Sequence, residues 1–134
     1  MSSKPVPDPD PESKPFWDAL IQHRLMVQEC TACGARRYPA TTFCPVCRSN
    51  ASRWIESGGT GKVFSWVVVH HPVPKEAYAA DVPYVVALID LDEGVRMVSN
   101  IVNTDPSSIQ ASMPVRVRFD DVEPGVTLPR FVPA

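Results

Sequence analysis

Cys30-Thr-Ala-Cys33 and Cys44-Pro-Val-Cys47 space the only four cysteines of the chain as C-x₂-C-x₁₀-C-x₂-C. A tight turn after the first cysteine of each pair points both sulfurs and several backbone N–H groups inward. Two such knuckles close a tetrahedral S₄ site, with metal–sulfur distances of about 2.3 Å for zinc. Every thiol is used and none is spare. Zinc is favoured over a mononuclear iron or two disulfides, and four reduced thiols point to a cytoplasmic protein. Four protein thiolates leave no open coordination position, so the metal is expected to be structural rather than a Lewis acid. A small ribbon has too little core to stand alone, and metal binding then supplies much of its folding energy.

Proline limits the rest of the chain. Fifteen of the 134 residues are proline, about twice the usual share, so much of the chain must be loop, turn or sheet edge. Pro5, Pro7, Pro9, Pro11 and Pro15 crowd the start among Lys, Asp, Glu and Ser. Residues 1–15 therefore read as a flexible, extended tail. It has no apolar core, so it does not read as a secretory leader. No apolar run approaches a membrane span. Residues 16–27 read as a short helix and linker: Ser13 is placed to cap it, Pro15 sits early where proline is tolerated, and Phe16, Trp17, Leu20 and Ile21 form an apolar stripe. The helix is expected to end near His23 or Arg24. A helix this short needs something to pack on, its own domain or a partner.

Residues 28–57 hold the cysteines and little regular hydrophobicity. From 58 to 134 the pattern changes to strands. Lys62–His71 is β-rich. Tyr84–Leu91 and Val95–Val102 flank the turn Asp92-Glu93-Gly94. Val115, Val117 and Phe119 alternate with Arg116, Arg118 and Asp120, and Val126–Val132 makes a fifth strand. Pro106–Ala111 reads as one helical turn between the third and fourth strands. That order is the order of an OB-type barrel, and the length is short for a two-sheet sandwich. The fold class expected is mainly β: a short N-terminal helix, a metal ribbon and a five-stranded OB barrel.

Charge and chemistry narrow the function. The formal charge is −2; four thiolates and one Zn²⁺ add a further −2, so the loaded chain is near −4. That is too acidic for a protein that coats duplex DNA. Phe16–Thr60 carries a net +2, and Gly61–Ala134 a net −3. Arg36, Arg37 and Arg48 lie in or beside the knuckles, where they either offset the thiolates or form a surface for anions. Gly58-Gly59-Thr60-Gly61-Lys62 faintly suggests a phosphate loop. It fails the spacing and precedes a strand instead of a helix, so its glycines are expected to let the chain turn sharply. His70 and His71 are adjacent at a strand end and point to opposite faces. With every thiol on metal and no nucleophile–base pair visible, autonomous catalysis is not expected.

The ordered set of motifs resembles a known family. Phe16-Trp17 comes first, then Cys30-x-x-Cys33-Gly34, Tyr38-Pro39 and Cys44-Pro45-x-Cys47. Trp54, Gly59-Thr60-Gly61-Lys62-Val63-Phe64-Ser65 and Pro83-Tyr84 follow, with Leu91-Asp92-Glu93-Gly94, Met113-Pro114-Val115 and Pro129-Arg130-Phe131. From Phe16 to Pro133 the chain resembles the zinc-ribbon/OB-fold, acyl-CoA-associated family known as domain of unknown function thirty-five. The resemblance implies a rubredoxin-like ribbon, structural Zn²⁺, and a hetero-oligomer with a thiolase-like subunit. Family members serve complexes that make or break carbon–carbon bonds on CoA thioesters: acetoacetyl-CoA handling, acyl transfer onto phloroglucinols, retro-aldol cleavage of steroid side chains. The large subunit carries the reaction; the small one completes or stabilises the acyl-CoA site. On this reading Cys30, Cys33, Cys44 and Cys47 hold metal, and an exposed surface at Arg36, Arg37, Gly59, Gly61 and Lys62 faces CoA phosphates or the partner. The chain departs from the family where Arg48-Ser49 follows Cys47, a place usually taken by Gly. The competing class is a single-stranded nucleic-acid binder with Phe64, Trp66 and Tyr84 as stacking platforms. The acidic barrel half and the lack of interleaved basic residues weigh against it.

Overall fold

The computed structural model describes residues 4–134; Met1–Ser3 of the expected tail lie outside the described residues. Helix α1 (Lys14–Ile21) leads into three short strands, β1 (Met26–Cys30), β2 (Arg36–Arg37) and β3 (Ser52–Glu56). These form an antiparallel sheet in the order β2-β1-β3. Then come β4 (Thr60–Val69), the one-turn helix α2 (Lys75–Tyr78), β5 (Tyr84–Leu91), β6 (Arg96–Ile101), a 3₁₀ turn (Pro106–Ser108), β7 (Pro114–Glu123) and β8 (Val126–Pro133). The five long strands close a barrel in the order β4-β5-β6-β8-β7. All pairings are antiparallel except β6 with β8, where Ile101 faces Phe131 in parallel. This is the expected mainly β architecture, with the helical link after the third barrel strand.

Alternation builds the barrel core. Along β5, Val85, Ala87, Ile89 and Leu91 are buried while the residues between them are half-buried. Met97, Ile101, Val115 and Phe131 complete the same interior. Two glycines are needed where β4 enters. Gly59 has φ +78°, and a Cβ there would lie 2.5 Å from Val117 Cγ1. At Gly61, which pairs with Leu91 on one side and Val115 on the other, a Cβ would run into the Asp90 carbonyl. Both serve the sharp entry expected of them.

Helix α1 differs from expectation at both ends. The Ser13 side chain makes no capping bond. Its backbone is already in the right-handed helical region, so its hydroxyl does not turn back on the first N–H groups. Asp10 does the work instead: Oδ1 accepts from Ser13 N at 2.8 Å, and its carbonyl accepts from Lys14 N at 2.9 Å. The helix stops at Ile21 because His23 turns to φ +58°. The His23 ring stacks on Phe119 at 5.1 Å, and Nε2 meets the Asp121 carboxylate at 3.0 Å. The apolar stripe is largely covered by the chain itself. Phe16 and Leu20 are buried in the shared core, Trp17 packs against it, and Ile21 remains exposed. Of the two alternatives open for this stripe, the chain's own core covers Phe16 and Leu20, and part of Trp17 and Ile21 stays accessible. The tail also returns to the barrel: Lys4 ion-pairs with Asp81 at 2.5 Å.

Candidate functional site

The two knuckles repeat one backbone design. In the first, Gly34 N donates to the Cys30 carbonyl (2.9 Å) and Cys30 N to the Ala35 carbonyl (2.8 Å). In the second, Arg48 N donates to the Cys44 carbonyl and Cys44 N to the Ser49 carbonyl, both at 2.8 Å. Gly34 has φ +80° and Arg48 φ +67°. Arg48 therefore takes the left-handed conformation that glycine takes in the first knuckle, and the departure at this position leaves the turn's shape intact. A β-carbon there costs about 1–2 kcal/mol. Arg48→Gly is accordingly expected to raise stability by about 1 kcal/mol with zinc content unchanged, as read by thermal melting and elemental analysis. A lower melting temperature would show that the Arg48 side chain supports the knuckle.

The four sulfurs lie within 4.8 Å of one another. Cys30 and Cys47 Sγ are 3.6 Å apart, as are Cys33 and Cys44 Sγ. A tetrahedron with metal–sulfur bonds of about 2.3 Å has edges of about 3.8 Å, so the donor set fits zinc. The backbone favours the thiolates. The Cys33 N–H, foremost, holds the Cys30 thiol below its ordinary range, and N–H groups of Cys47 and Val46 lower Cys44 to about 6. Cys33 gains from the Ala35 N–H, yet burial and the three neighbouring sulfurs push it up to about 12. Four thiolates cannot share this space without a cation, and a dication resolves the conflict.

Of the residues expected to face CoA or a partner, Arg36 is exposed but committed. Its Nε donates to Glu29 at 2.9 Å and its Nη1 to the Glu93 carbonyl at 3.2 Å. Arg36, foremost, and Arg53 together hold the Glu29 carboxyl below its usual range. Arg37 corrects the expectation of an exposed surface: it is 7% exposed, because it pairs with buried Gln28 on the inner side of β1. Gly59 and Gly61 are buried and Lys62 is exposed. The five residues thus do not form one continuous face. Glu93, read from sequence only as a turn residue, pins ribbon to barrel. It accepts Ser57 Oγ at 2.5 Å and Gly58 N at 3.0 Å. Its carboxylate already occupies donors that a phosphate at the glycine turn would use. No sequence pattern marked this network; it follows from the burial of Glu29, whose carboxylate takes Arg36 and Arg53 because buried polar groups require partners.

The proposed stacking platforms also diverge. Arg96 lies 3.4 Å over the exposed Phe64 ring, Trp66 packs against the core, and Tyr84 lies 5.9 Å from Tyr78. A cavity of about 290 Å³ opens beside the β6–β8 seam, with Lys4, Tyr78, Asp81, Tyr84, Asn100 and Arg130 in its wall. Nothing in the periodicity announced it, because the strands closing the seam are joined by the fold rather than by sequence. No helix among the described residues is long and apolar enough to cross a membrane.

Comparison with known proteins agrees with this geometry. A family model described as the rubredoxin-like zinc ribbon domain of ChsH2 matches residues 17–51, and one for the ChsH2 C-terminal OB-fold domain matches residues 54–120. A probable enoyl-CoA hydratase alpha subunit of Thermomonospora curvata is 44% identical over 120 residues, 89% of this chain. The chain spans 37% of that subunit's length. A DUF35 domain-containing scaffold protein of Methanothermobacter thermautotrophicus is 32% identical, over 79% of this chain and 80% of that protein. A solved chain of the Ltp2-ChsH2(DUF35) aldolase superposes with a TM-score of 0.86 at 39% identity, covering 95% of this chain and 98% of that one. With a zinc-ribbon match over the knuckles, an OB-fold match over the barrel and an end-to-end structural counterpart, the chain belongs to the ChsH2-type DUF35 family.

Proposed function

We propose that the chain is a non-catalytic, cytoplasmic accessory subunit. It docks on a thiolase-like enzyme and helps assemble or line the site where that enzyme forms or cleaves a carbon–carbon bond on an acyl-CoA. The observation that carries this reading is the end-to-end likeness to a chain of the Ltp2-ChsH2(DUF35) aldolase, at 39% identity. The scaffold name of a DUF35 relative and the CoA-linked name of the hydratase subunit point the same way.

The chemistry of the chain supports a supporting role. Zinc, when bound, supplies cross-linking and charge neutralisation, and four cysteine ligands leave no position for substrate. The four thiols are then unavailable as nucleophiles. Among the described residues, the histidine hydrogen bonds run from His23 to the carboxylate of Asp121, and no hydroxyl or thiol bonds an imidazole. The ion pairs of Glu29 with Arg36 and Arg53, and the bonds of Glu93, hold ribbon and barrel as one platform. Contact with CoA phosphates or with the large subunit is proposed for the exposed Arg36 and Lys62, each at its own place, with Gly59 and Gly61 shaping the turn before Lys62 through the backbone.

The test is co-expression with a thiolase-like protein encoded beside it. The two are expected to co-purify. The large subunit alone should be poorly soluble or at least tenfold less active on CoA thioesters, and this chain alone should turn over none. The reading fails if this chain elutes as a monomer beside a neighbour that is fully active without it.

A further inference from the structure

Arg37 is 7% exposed, yet two of its guanidinium nitrogens, Nε and Nη1, have no hydrogen-bond partner in the protein. Only Nη2 is used, donating to the Thr41 carbonyl at 3.0 Å. A buried cation with open donors is costly to folding and is retained where something else pairs with it. The carboxylates of the helix and the ribbon are already committed. Glu29 takes Arg36 and Arg53, Glu56 takes Arg24, and Asp18 takes Lys14. The residues around it are arranged for an occupant. Arg37 lies in the wall of a cavity of about 90 Å³ shared with Phe16, Trp17, Met26, Tyr38 and Trp54. Phe16 stacks on Tyr38 at 5.4 Å and meets Trp17 edge-on at 5.1 Å, so the aromatic wall is mutually braced.

We infer that this cavity is a socket for a carboxylate on a short aliphatic stem: an aspartate or glutamate side chain of a docked protein. The guanidinium selects an anion. The aromatic walls favour methylenes over a heavily hydrated phosphate. The volume lies well below the roughly 300–1,000 Å³ of ordinary small-molecule pockets, so a nucleotide does not fit. Both open nitrogens are closed off from solvent, so the occupant reaches them by displacing side chains of the cavity wall, where Trp17, Met26 and Tyr38 are half-buried. The docked-protein source rests on the accessory-subunit reading; the carboxylate chemistry does not.

The test is an NMR titration of the zinc-loaded, full-length chain, following the Arg37 Nε–H and the Trp17 and Trp54 indole N–H signals. The probes are N-acetyl-glutamate N-methylamide, its glutamine counterpart, and free propionate. The capped glutamate is expected to shift all three signals saturably. The neutral glutamine probe should bind at least tenfold more weakly, the loss expected when a charge-assisted bond is removed. Arg37→Met should keep or raise the melting temperature, since a neutral side chain of similar size ends the desolvation cost, and should abolish the titration. Arg37→Lys should fold and retain weakened binding. Equal shifts from glutamate and glutamine probes, or none from either, would overturn the socket. Tighter binding of propionate than of the capped residue would overturn the protein source. A large loss of stability in both Arg37 variants with binding retained would make Arg37 a structural group. Because the isolated chain is titrated, failure here leaves the co-purification test of the accessory role untouched.

Discussion

Cys33→Ser is expected to release the zinc and unfold residues 26–56 while the barrel strands keep their pairing. Three short strands, one of them only Arg36–Arg37, hold the ribbon sheet. Its polar interior of Gln28, Glu29 and Arg37 offers little apolar burial. Structural zinc supplies on the order of 10 kcal/mol to domains of this kind, more than such a sheet can replace. Serine cannot act as a thiolate, and the backbone groups that favour ionised sulfur would face a poor donor. Elemental analysis should find about one zinc per wild-type chain and well under one in the variant. Exchange protection should vanish along β1 and β3 and persist along β5. Loss should also spread to the junction, because Arg36 and Ser57 tie the ribbon to Glu93. A folded, untreated wild-type chain with far less than one metal would refute the structural zinc.

Phe131→Ala is expected to destabilise the barrel by about 3–5 kcal/mol, the usual cost of emptying a buried phenylalanine site. Phe131 is 0% exposed and is the largest of the fully buried side chains. It stands opposite Ile101, where β6 meets β8, and its carbonyl accepts from Val102 N at 2.8 Å. Other barrel seams are held by longer ladders, but this one has a single paired register position. A cavity there removes contact from the weakest closure of the sheet. Since net stabilities are about 5–15 kcal/mol, the change consumes a large share. Urea denaturation of the zinc-loaded chain measures it. Val98→Ala, at a 57%-exposed site on the same sheet, should shift stability by less than about 0.5 kcal/mol. Similar effects from both variants would show that the seam does not depend on Phe131.

How far each feature could be read depended on how local its cause was. Residues 84–91 read as a strand because an apolar, β-favouring run ends at a turn signal, and β5 has the ends expected; which of its residues are buried alternates strictly because the pleat sets inward and outward positions. Asp92-Glu93-Gly94 was legible as a turn because Gly94 supplies φ +91°. The strands β1, β2 and β3 were not legible. Their burial comes from pairing across the knuckles and from ion pairs, which leave no hydrophobic period. Ser13 looked like a cap by type, but the choice between Ser13 and Asp10 depended on the dihedral at residue 13. Arg48 stood at a place usually taken by glycine. Only the backbone revealed that arginine had adopted the glycine conformation.

By itself the sequence determined the paired four-cysteine spacing, the order ribbon then barrel, and the family, since each rests on spacing and alternation that are local along the chain. The tertiary structure alone decided the fate of the charged residues. Arg36 and Arg37 are neighbours in sequence, but the alternation of a β-strand sends one toward Glu29 and Glu93 at the surface and the other into an aromatic-walled interior. Which of two adjacent arginines is paired and which is left with open donors depends on what lies across β1 and under α1. Those partners are brought together by folding, over separations that no local pattern records.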